Sequence, residues 1–70
     1  MSVYEKQIGG SNYLKLKIQP SEFANKNNLP FAEGNAIKYI CRHKYKGGKE
    51  DLKKAKHYIE MIEERDYGNE

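Results

Sequence analysis

Asn35, Lys38 and Arg42 stand at i, i+3 and i+7, a spacing that stacks an amide, an ammonium and a guanidinium along one stripe of a helix. Together they can hold a phosphate and reach an adjacent base or ribose. A solvated helix face is the plainer alternative. A second basic row, Lys49, Lys53, Lys54 and Lys56, follows Gly47-Gly48. An antiparallel hairpin would set the two rows side by side, which is unfavourable unless an anion lies between them. From Lys38 to Lys56 eight cations stand against two anions, Glu50 and Asp51, so the middle of the chain favours anionic ligands. From Glu60 onward the balance turns acidic, and that end can pair with a neighbouring subunit's basic patch.

Other residues offer less. Gly9-Gly10-Ser11-Asn12-Tyr13 can form a backbone nest for phosphate with Tyr13 stacking on a base, though Gly-Gly-Ser is also ordinary linker sequence. Tyr13 and Tyr45 are the candidates for stacking on a purine, while Tyr39 and Tyr58 fall on or beside apolar faces and read as packing residues. Gly47-Gly48-Lys49-Glu50 lacks the hydroxyl of a phosphate-binding P-loop. Cys41 and His43, two residues apart, diverge on a helix and make a poor zinc pair. Glu22, Glu33, Glu50 and Asp51 read as helix-start acids. No catalytic set, metal site or cofactor site is assigned.

These groups need elements to position them. Residues 1–12 have the composition of a flexible N-terminal segment, and residues 13–66 read as one small domain, with a frayed tail over 67–70. Tyr13–Ile18 alternates apolar Leu14, Leu16 and Ile18 with polar neighbours, which predicts a short β-strand or extended arm that must pair elsewhere. Pro20-Ser21-Glu22-Phe23 starts a helix that the weak helix formers of Asn25–Asn28 and then Pro30 cut short. A second helix is predicted over about Phe31–Lys44 and a third over about Lys49–Asp66, where Leu52, Ala55, Ile59 and Ile62 recur at helical spacing. Gly34, inside the second helix, costs about 1 kcal/mol against Ala and predicts close approach of a backbone or ligand. Gly47-Gly48 reads as a C-cap and hinge. The acidic last turn opposes the helix dipole and predicts fraying after Glu64.

The fold class expected is therefore mainly α: a helical hairpin plus a short N-terminal helix and a short strand or arm, a small α+β domain in an oligomer. Seventy residues with one cysteine exclude an internal disulfide, and so small a core usually needs a staple or a partner subunit. A homo-oligomer is the expectation. A lone cysteine and no long apolar run predict a cytosolic protein with no membrane partner. The Gly-Gly link, Arg42 as the one arginine of the basic middle, and the acidic end favour a discrete anion over a nucleic-acid duplex.

The order Gly9-Gly10-x-x-Tyr13, Ile18-Gln19-Pro20, Glu33-Gly34-Asn35-x-x-Lys38-Tyr39-x-x-Arg42, Lys46-Gly47-Gly48-x-Glu50-Asp51-Leu52-x-Lys54-Ala55-x-x-Tyr58 resembles the SaV-like family of small bacteriophage proteins, over about residues 7–64. Asn12 stands where that family's pattern often has His. The resemblance implies a phage protein in the cytoplasm of an infected bacterial host and a link to nucleotides, since members are described either as uncharacterised or as nucleotide kinases. Phosphoryl transfer needs two nucleotide pockets, a magnesium site and a cover against water, more than this chain's length supplies. The expectation is a non-catalytic binder of a small nucleotide, such as a cyclic nucleotide immune signal sequestered in pockets of a homo-oligomer, with Gly9, Gly10, Tyr13, Asn35, Lys38, Arg42, Tyr45 and Lys54 as ligand-binding residues. A deoxynucleoside monophosphate kinase and a host-factor or nucleic-acid interaction protein are the alternatives.

Overall fold

The computed structural model describes residue 3 and residues 16–69. Among them the chain is mainly helical, with α1 over Pro20–Lys26, α2 over Phe31–Arg42 and α3 over Gly48–Tyr67, and no strand. The expected strand lies partly outside the described residues; its described end, Leu16–Ile18, runs as a bend with Ile18 exposed. No described helix is long and apolar enough to cross a membrane.

Each helix boundary has a local cause. Pro20 opens α1 at a position where its missing N–H costs nothing. A Glu22–Lys26 pair at 2.8 Å spans one turn. α1 ends because Asn28 takes φ +53°, a left-handed conformation that Asn tolerates. Leu29 N–H then donates to Ala24 O (2.9 Å) and Asn28 N–H to Asn25 O (3.2 Å). That pair of bonds is a Schellman closure, and Pro30 follows to cap α2.

α1 packs on α2 at Gly34, where an added Cβ would meet Ala24 Cβ at 3.4 Å. A neighbouring helix therefore accounts for the close approach that Gly34 predicted, and it leaves room for a methyl group. α2 and α3 form the antiparallel hairpin, and the apolar side chains buried in it are those of Ala32, Ala36 and Ala55. Such small residues let two helices approach closely. They also leave larger apolar groups outside: Phe23, Phe31, Ile40, Leu52 and Ile59 are all exposed.

α3 outruns the predicted fraying point and continues to Tyr67. Arg65 reaches across the hairpin to Glu33 (Nη1 to Oε1, 3.1 Å) while its Nε holds Asp66 Oδ1 at 2.8 Å. Hydrogen bonds from Arg65 hold both carboxyls below their ordinary values. The link between helices spans residues 43–47, not the two glycines alone, and its bonds are fixed: Tyr45 and Lys46 N–H donate to Arg42 O, and Gly48 N–H to His43 O. The hinge read from Gly47-Gly48 is thus a closed corner.

Candidate functional site

The corner owes its shape to one carboxylate. Asp51 is 1% exposed, although it stands in the first turn of a helix where acids usually face water. Arg42 Nε donates to its Oδ2 at 2.8 Å and Arg42 Nη2 to its Oδ1 at 3.0 Å. Gly47 N–H adds a third bond, to Oδ2, at 2.9 Å. The Arg42 guanidinium first, then the Gly47 N–H, hold the Asp51 carboxyl below its ordinary value of 3.8 despite its burial. A Cβ on Gly47 would fall 2.1 Å from Asp51 Oδ1, so only glycine leaves room for the carboxylate. Gly48 is required for a different reason, its φ of +55°. Arg42, read as a ligand-binding residue, is consequently committed to the fold by a bidentate pair.

One helical turn away, the surroundings reverse. Tyr39 and Tyr58 lie nearly parallel, with centroids 5.9 Å apart and planes at 9°. Phe31 meets Tyr58 edge-on at 5.9 Å. Around Tyr39 gather Lys38 Nζ at 4.6 Å, Arg42 Cζ at 4.9 Å and Lys54 Nζ at 5.3 Å from the ring centroid. Arg42 has its carboxylate, whereas Lys38 and Lys54 have no ion-pair partner among the described residues. Beside the rings runs an open groove of about 370 Å³ walled by Tyr39, Glu50, Lys53, Lys54, His57 and Tyr58, within the size range of small-ligand sites. What the arrangement offers is an aromatic wall and ammonium groups free to meet an anion.

The predicted binding residues divide accordingly. Lys38 and Lys54 converge on Tyr39. Lys38 also lines, with Gly34 and Asn35, a second groove of about 250 Å³ between α1 and α2, so it stands on the ridge between the two. Asn35 spends one amide hydrogen on Phe31 O at 3.0 Å. Tyr45 is in the corner and forms no part of the aromatic groove's wall. Gly9, Gly10 and Tyr13 lie outside the described residues. The sequence reading of Tyr39 and Tyr58 as packing residues agrees with their stacking on each other, but it did not place them, or Lys53 and His57, along a candidate groove. Their signal was present, since Tyr39 lies between Lys38 and Arg42 and Tyr58 is four residues after Lys54. Among the described residues, no three His, Cys, Asp or Glu side chains gather where a metal ion could be held.

The model of a family described as a protein of unknown function, DUF3310, matches residues 6–60. The stretch includes α1, α2, the Arg42–Asp51 corner and both tyrosines of the groove. No curated protein and no solved structure matches the chain.

Proposed function

This chain belongs to the DUF3310 family, and for it we propose the binding of a small nucleotide on the aromatic, cationic side of the α2–α3 hairpin. The observation that carries the proposal is the convergence of Lys38 and Lys54 on Tyr39, which lies parallel to Tyr58, with neither lysine in a direct ion pair among the described residues. Phosphate takes the ammonium groups, and a base lies against the tyrosine pair. Asn35 and Lys38 in the adjoining groove serve the ribose or a second phosphate, as a cyclic dinucleotide would need. We read this as binding without turnover, since phosphoryl transfer would need a second pocket and a cover beyond the described groove residues. Its resemblance to phage proteins gives such a binder a purpose: sequestering a nucleotide signal of bacterial antiviral defence in the pockets of a homo-oligomer.

Calorimetric titration with a panel of mononucleotides and cyclic dinucleotides tests this. Heat with at least one of them, reduced about tenfold or more in affinity by Lys54→Ala, is the expected result. Silence across the whole panel rejects the proposal. Conversion of a monophosphate to a diphosphate in the presence of ATP and magnesium would replace binding by kinase activity.

A further inference from the structure

We infer that two copies of this chain associate through the outer stripe of α3, running antiparallel, on the side of the hairpin away from the aromatic groove. Each residue of a helix advances about 100° around its axis. Leu52 and Ile59 each stand one position after an inward residue, Asp51 and Tyr58, and Ile40 likewise follows Tyr39. In an antiparallel pair the same offset brings all three to one side. They are 38%, 43% and 48% exposed respectively, and among the described residues the buried apolar side chains of the hairpin are alanines, which do not cover them.

Charge identifies the occupant. Lys49, Leu52, Lys56, Ile59, Glu63 and Asp66 follow one another at steps of 3, 4, 3, 4 and 3, the heptad rhythm of a helix-pairing seam. The stripe is basic before Ile59 and acidic after it. Its own antiparallel copy therefore supplies what it needs: with Ile59 near the two-fold axis, Lys56 of one protomer comes across from Glu63 of the other, and Lys49 lies toward the other's acidic end. A parallel arrangement would put lysine on lysine and glutamate on glutamate. Lys49, Lys56 and Glu63 are exposed and have no ion-pair partner among the described residues. The inference does not depend on the ligand of the groove, because it concerns other residues.

Sedimentation equilibrium of the full chain, without nucleotide, tests it directly. The unaltered protein is expected to associate reversibly, and Lys56→Glu or Glu63→Lys alone to weaken association by more than about tenfold. An equimolar mixture of the two variants is expected to associate again, because positions 56 and 63 then carry Glu on one protomer and Lys on the other and pair with opposite charge in both directions. Circular dichroism on each variant should show unchanged helix content, since both positions are exposed. A monomeric unaltered chain overturns the inference, and so does an assembly indifferent to either reversal or a mixture that stays apart. Calorimetry on Lys56→Glu keeps the two proposals distinguishable, because its groove residues are intact.

Discussion

Two cationic positions one turn apart, Lys38 and Arg42, look equivalent in the sequence and differ completely in the structure. Arg42 meets a buried carboxylate through two hydrogen bonds, while Lys38, with no ion pair among the described residues, lies over the face of a tyrosine. The first arrangement closes on itself and builds a corner; the second leaves charge available. A basic stripe is thus sorted into a paired, framework part and an unpaired part by where the carboxylates fall, and Asp51 makes that division.

The sharpest way to break the contrast is Asp51→Asn. It leaves Arg42 facing a buried neutral amide, and the melting temperature is expected to fall by more than about 10 °C in a domain this small. Gly47→Ala should approach that loss, because the new methyl displaces the same carboxylate. Acid offers a milder version. The Asp51 carboxyl lies below its ordinary value when folded, so its stabilisation is complete above about pH 3.8 and declines as pH falls further. A thermal-melt series should show that decline in the unaltered protein and its flattening in Asp51→Asn.

On the other side of the comparison, Lys38→Ala and Lys54→Ala should leave the melting temperature within about 2 °C, as surface charges do, while each costs about tenfold in nucleotide affinity. Arg42→Ala should lower both stability and affinity, and an Arg42 variant that loses binding alone would collapse the distinction. The smallest effect is expected at Gly34→Ala, where space for a methyl exists beside Ala24. Helix propensity should then raise stability by up to about 1 kcal/mol.

Much of the framework could be read from residue order. The apolar period of Leu52, Ala55, Ile59 and Ile62, Pro20, Pro30, and the Asn-rich stop before it fix where the three helices run, because capping and periodicity act over a few residues. The corner was not legible. Asp51 reads as one more acid complementing a helix dipole, and only the closing of the link brings it to Arg42, nine residues earlier. Arg65 and Glu33, 32 residues apart, likewise reversed the fraying expected at the acidic end. Tyr39 and Tyr58 each have packing spacing when taken singly. That they form a pair depends on hairpin register, which neither helix encodes alone.

That register has a gauge. Ala32, Ala36 and Ala55 set how closely the two backbones lie, and so fix the separation of Tyr39 and Tyr58, whose own contact is at the rim. Enlarging Ala36 to Val would wedge the helices apart and part the rings without altering any groove side chain. On the proposed binding role, ligand affinity would thereby be tunable from three methyl groups that line no part of the groove.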